Sequence, residues 1–141
     1  AAKWDEIDRQ GDEIKRGAFT ETIKQPMHEV RFLWEHNFDK PIGKVTKLEE
    51  NLIGLYVECE LMLNIEQARV AKELLQSNMI RGLSIGYVPT KYSQAFSIDE
   101  SSEGGLKKEH RILEEVVLYE ISIVQFPAQN AGVTEAKSYY A

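Results

Sequence analysis

The sequence predicts a mainly β fold with a few helices (α+β): antiparallel strands curled into a closed or partly closed barrel, with helices outside. Three observations carry this. Apolar and polar residues alternate with period 2 in four runs, 29–36, 53–61, 80–89 and 110–124. A 3.6-residue period holds over a useful length in one stretch, 64–78. Strands and helices do not alternate regularly, as a doubly wound parallel sheet requires.

Taken in order, 3–7 reads as a short strand and Asp8-Arg9-Gln10-Gly11-Asp12 as a turn. Residues 18–25 read as a short helix stopped by Pro26. In 29–36, Val30, Phe32, Trp34 and His36 share one face of a strand; 37–40 turns the chain and 41–49 returns it. Glu50-Asn51 is the next turn, before a long strand with Ile53, Leu55, Val57, Cys59 and Leu61 on one face. Asn64 and Gln67 form a capping-box-like pair at the start of a helix that turns Ile65, Ala68, Ala71, Leu74 and Leu75 inward. Residues 80–89 form a strand with which 91–98 pairs. The polar, Ser- and Gly-rich stretch 99–108 reads as an exposed, mobile hairpin tip. A strong strand, 110–124, is ended by Pro127, and 134–139 begins a last helix or tail. With no repeats and no long linker, 1–141 is expected to form a single domain.

That length suffices for one domain with a core. The net charge of −6 implies no basic surface for nucleic acid and is compatible with a small basic patch beside a groove. Cys59, the one cysteine, rules out an internal disulfide and reads as a buried thiol. No apolar run reaches membrane-spanning length and no signal peptide opens the chain, so a soluble protein of a reducing compartment is expected. The start, Ala1-Ala2-Lys3-Trp4, lacks an initiator Met, as a processed or trimmed product would. There is no Cys pair, no closely spaced His pair and no phosphate-binding loop, so no metal or cofactor is predicted.

Gly82-Leu83-Ser84-Ile85-Gly86 matches G-x-S-x-G, the nucleophile elbow of α/β-hydrolases. An elbow needs a strand before the serine and a helix after it. Here the helix comes first and a strand follows, which argues against a small esterase. Small residues around a serine in a strand also simply let another backbone pack closely. A nucleophilic serine needs a base. The histidines are His28, His36 and His110, and His36, at a strand end, can project from the sheet rim. Glu120 is the one charge in the apolar row Val116, Leu118, Glu120, Ser122, Val124. Buried there it needs a partner: Arg31, Arg81 or Arg111 in a structural ion pair, or a base that it orients.

Four segments together carry a resemblance. They are Asp8-Arg9-Gln10-Gly11-Asp12 with Gly17-Ala18-Phe19; Trp34-Glu35-His36-Asn37 with Pro41-Ile42-Gly43; Gly82-Leu83-Ser84-Ile85-Gly86-Tyr87; and Tyr119-Glu120-Ile121-Ser122-Ile123-Val124 with Pro127-Ala128. In order and spacing, over about 8–131, the chain resembles the prohead maturation proteases of tailed bacteriophages. The resemblance implies a serine endopeptidase with a herpesvirus-protease-like fold, an antiparallel β-barrel ringed by helices. It implies Ser84 as nucleophile, His36 as general base and Glu120 as the acidic third member, where herpesvirus proteases carry a second His. Arg81 or Arg111 would assist electrostatically or form surface salt bridges. The implied substrates are the major capsid protein or its scaffolding region and the protease itself, inside the phage prohead in the bacterial host cytoplasm. A homo-oligomer is compatible with the resemblance; a nucleic acid or membrane partner is not expected. The alternative is a non-catalytic capsid-assembly module that binds scaffold or capsid protein and uses Ser84 and His36 structurally.

Overall fold

Strand β7, Lys107–Val124, is 18 residues long and organises the computed structural model, which describes residues 1–4, 6–98, 107–127, 129 and 131–133. Along one edge it pairs antiparallel with the 17-residue strand β6, Gly82–Ile98. Along its other edge lie two short strands, both parallel to it: β2 (Asp12–Ile14) against Arg111–Leu113, and β3 (Arg31–Trp34) against Glu120–Ile123. Between them the edge is covered by the chain leading into the short helix α1, Thr20–Ile23. Lys15 N–H donates to the Leu113 carbonyl and Val116 N–H to that of Ala18. The buried Thr22 hydroxyl then accepts Leu118 N–H at 3.0 Å and donates to the Val116 carbonyl at 3.2 Å.

The sheet continues from β3 to the 14-residue β4 (Asn37–Glu50), to β5 (Gly54–Leu61) and to β1 (Ala2–Lys3), all antiparallel. The order is β1-β5-β4-β3-β7-β2, and an isolated bridge from Trp4 to Ile14 ties its two ends together. The result is a mostly β, curled, partly closed sheet with helices against it. It is mixed, not antiparallel as the sequence suggests, because the short β2 and β3 both run alongside β7.

Ile14, Phe19, Leu33, Ile42, Leu55, Leu113 and Ile121 are among the fully buried core side chains, and the Trp4 and Phe19 rings stack at 5.9 Å. Helix α2, Glu66–Gln76, buries Ala68, Ala71 and Leu75 with the expected period. Its N-cap is Ile65, with no side-chain cap, so the Asn64–Gln67 pairing does not form.

Other expectations shift. The stretches 80–89 and 91–98 do not pair with each other; they are one strand, β6, with register shifts around Pro89 and Lys91. Pro89 lacks an N–H, and the irregularity lets the strand continue past it. The turn placed at 37–40 lies instead at Glu35-His36, and 37–40 is already strand β4. Of the 99–108 tip, Lys107 and Lys108 belong to β7 and the rest lies outside the described residues, as do 134–139.

Two measurements test this packing. Thr22→Val removes the hydroxyl while keeping the shape and strands Leu118 N–H and the Val116 carbonyl. It should cost about 2 kcal/mol in urea denaturation, and an unchanged midpoint would contradict the bridging role. Cys59 is half-buried instead of fully buried, and burial still pushes its thiol up to about 12, so iodoacetamide at pH 8 should modify it much more slowly in the native protein than after unfolding; equal rates would refute that shielding.

Candidate active site

Antiparallel pairing sets Ser84 of β6 opposite Ser122 of β7, and Gly86 opposite Glu120. Residues two apart on a strand share a face, so Ser84, Gly86, Glu120 and Ser122 lie on one face of neighbouring strands. A strand, not a helix, follows Ser84, which removes the hydrolase elbow. Ser84 is buried, and among the described residues its hydroxyl has no hydrogen-bond partner. The glycine at 86 has a spatial reason. A Cβ there would lie 2.5 Å from Glu120 Oε1 and 2.8 Å from its Cγ, so the missing side chain is the room the carboxylate occupies.

His36 reaches this face from the other edge of β7. Strand β3 ends at Trp34, which pairs with Asn37, leaving Glu35 and His36 as a two-residue hairpin loop. Their φ values are +50° and +58°. Both signs positive is the requirement of a type I′ turn, normally met by Asn-Gly. For other residues the left-handed region costs about 1–2 kcal/mol each. Docking onto β7 offsets that cost. Glu35 N–H donates to the Ile123 carbonyl at 3.0 Å, and Gln125 N–H donates to Glu35 Oε1 at 2.7 Å. His36 N–H donates to Ser122 Oγ at 3.0 Å.

The ring is held as well. His36 Nδ1 bonds Glu120 Oε1, and Glu120 Oε2 accepts the Ser122 hydroxyl at 2.6 Å. Glu120 is 2% exposed, and a buried carboxylate needs such partners. The arginines considered for it are elsewhere: Arg31 binds the His28 carbonyl, Arg81 the Val133 carbonyl and Asn78, and Arg111 binds Asp12. An ionised carboxylate only accepts, so Nδ1 carries the hydrogen and Nε2 is the nitrogen left to accept a proton. His28 sits in a short 3₁₀ turn, Met27–Glu29, and His110 Nε2 pairs with Glu13 at 3.0 Å, so neither joins the group.

Ser84 and His36 line one cleft of about 520 Å³, within the range of ligand-binding clefts, and no hydrogen bond joins them. Arg9, Asp12, Tyr87 and Arg111 line it too. Asp12, 1% exposed, takes Arg111 in a two-point pair at 2.7 and 2.9 Å and accepts the Tyr87 hydroxyl at 3.0 Å. Burial, with Asp12 beside it, raises the Tyr87 phenol; the hydrogen bond to Asp12 raises Arg111. Burial also raises the Asp8 carboxyl, against the opposing N–H donations from Asp12 and Gln10. Sequence reasoning singled out Ser84, His36 and Glu120 but gave no role to Ser122 or Asp12. For Ser122 a signal existed: a hydroxyl two residues from a buried carboxylate on the same strand face.

A family model described as caudovirus prohead serine protease matches residues 1–140. The chain is similar to a prohead protease of Enterobacteria phage HK97, 29% identical over 98% of this chain and 58% of that protein. It is similar to a prohead protease of Escherichia phage T5, 28% identical over 93% of this chain and again 58% of that protein. A capsid polyprotein of Pseudomonas phage PAJU2 is 34% identical over 46% of this chain and 11% of that protein. The chain thus spans a little over half the length of these prohead proteases. No solved structure matches it.

Gly86→Ala tests the close approach to Glu120. The added methyl must displace the carboxylate and should cost about 1–3 kcal/mol, read as a lower denaturation midpoint together with a shifted His36 ring resonance. A midpoint and resonance like those of wild type would mean that Glu120 does not occupy that space.

Proposed function

The chain belongs to the caudovirus prohead serine protease family, and from that premise we propose that it is a serine endopeptidase of capsid maturation. In this reading Ser84 is the nucleophile, His36 the general base and Glu120 the residue that orients His36. The observation that carries it is the buried Glu120 carboxylate on His36 Nδ1, with His36 lining the same cleft as Ser84, whose hydroxyl has no hydrogen-bond partner among the described residues. A carboxylate so placed selects the tautomer with Nε2 free and stabilises the imidazolium once it forms.

The chemistry follows. Ser84 Oγ attacks a peptide carbonyl as its proton passes to His36 Nε2; the tetrahedral intermediate collapses, and the same proton goes to the departing amine. Water, deprotonated by His36, then cleaves the acyl ester and frees Ser84. The missing Ser84–His36 hydrogen bond fits this reading, since catalytic contacts are often loose without substrate and tighten with it.

The substrate is a peptide segment in extended form. Segment 131–133 pairs with the edge of β6 that faces away from β7, through Leu83 N–H to the Ala131 carbonyl and Val133 N–H to the Arg81 carbonyl. Backbone groups alternate in direction along a strand, so Ile85, two residues on, points its N–H and carbonyl to that same edge. Beyond 131–133 this edge has no strand partner among the described residues. A substrate added there as a strand passes beside Ser84.

The substrates we propose are the major capsid protein or its scaffolding region and the protease itself, inside the prohead in the bacterial host. The similarity to a capsid polyprotein agrees with an association between such sequences and capsid protein. We take the curled sheet as the herpesvirus-protease-like barrel that the resemblance implies. A non-catalytic assembly module would leave the Glu120–His36 pair beside a free serine without a purpose.

Ser84→Ala should abolish cleavage of the capsid-protein scaffolding region, by about 10⁴-fold or more, with an unchanged circular dichroism spectrum. Cleavage at the wild-type rate by this variant would falsify the assignment.

A further inference from the structure

Resting on that serine-protease reading, we propose that Ser122 is a positioning residue, whose one hydroxyl sets both the backbone and the ring of His36. A serine hydroxyl has one hydrogen to donate and two lone pairs to accept with. Ser122, fully buried, uses both functions: it donates to Glu120 Oε2 at 2.6 Å and accepts His36 N–H at 3.0 Å. With the Nδ1–Glu120 bond, this makes a closed ring of interactions. Ser122 Oγ holds the amide of His36, the imidazole of His36 holds Glu120, and Glu120 returns to Ser122 Oγ.

The arrangement answers a specific difficulty. His36 stands in a left-handed conformation at a hairpin tip, where a non-glycine residue is strained, and its side chain is 45% exposed. Left alone, such a tip relaxes toward extended backbone and swings the imidazole away from the cleft. Glu35 anchors the first turn residue to β7 through its own amide and carboxylate. Ser122 anchors the second, and it alone of these contacts also touches the carboxylate that orients the ring. It lies opposite Ser84 on the neighbouring strand, and its hydroxyl is committed to the His36 amide and the Glu120 carboxylate, so it acts through those two residues and not on substrate.

The test uses a fluorophosphonate probe, which phosphonylates an activated serine, so no natural substrate is needed. Wild-type protein should be labelled at Ser84. In Ser122→Ala, misplacement of the base should lower kinact by about 100-fold and leave KI unchanged, whereas a general loss of structure would change both. On the wild-type protein itself, the His36 amide should exchange slowly with deuterium, although it sits on a hairpin tip. This second measurement decides the matter if Ser122→Ala does not fold. An undiminished kinact in a folded Ser122→Ala, or a His36 amide exchanging at the rate of free peptide, overturns the role of Ser122 alone. A wild-type protein that the probe does not label overturns the protease reading and this inference with it.

Discussion

Strand β7 is paired on both edges over the stretch that carries Glu120 and Ser122, and the candidate site depends on that double pairing. Antiparallel β6 delivers Ser84 on one side, while parallel β3 delivers the hairpin that ends in His36 on the other. A strand between two partners cannot slide: a one-residue slip on either side would turn its side chains to the opposite face. The relative placement of a serine, a histidine and a carboxylate far apart in sequence is thus set by backbone ladders on a shared strand. Flexible side chains do not have to find one another.

The same strand concentrates two energetic costs and offsets each with the other. Glu120 is a carboxylate withdrawn from water, and Glu35 and His36 are non-glycine residues in left-handed backbone. Each would be unfavourable alone. The hairpin brings a ring nitrogen to Glu120, and β7 brings hydrogen-bond partners to the hairpin, with Ser122 Oγ common to both. Strained backbone and a buried charge in one place, beside a cleft, are features that functional sites tend to gather.

The glycines of Gly82-Leu83-Ser84-Ile85-Gly86 take on a different meaning in this setting. In a hydrolase elbow they would relieve a sharp strand-to-helix turn. Here they lie in a continuous strand and clear space for neighbours: a Cβ on Gly82 would stand 2.5 Å from the Val124 carbonyl oxygen, and one on Gly86 would meet Glu120. The sequence pattern is the same, and the physical demand behind it is close approach instead of backbone curvature.

Local patterns in the sequence determined the strands around Phe32, Leu55, Ser84 and Leu118, the helix facing inward through Ala68, Ala71 and Leu75, and the oddity of Glu120 in an apolar row. These are properties of short-range periodicity and of the cost of burying charge, both legible in a linear string. The resemblance of four dispersed segments to one family added Ser84, His36 and Glu120 as a set. Tertiary structure decided what periodicity cannot encode. Periodicity reads 80–89 and 91–98 as two paired strands; β7, a partner long enough to pair throughout, makes Gly82–Ile98 a single strand instead. The turn at Glu35-His36 carries no glycine or asparagine to announce it, because its strain is offset by bonds to Ile123, Ser122 and Gln125, which are distant in sequence. The parallel direction of β2 and β3, the space beneath Gly86 and the two-sided use of Ser122 arise in the same way. Each is a relation between separate stretches of chain, and exists only once β7 has drawn them side by side.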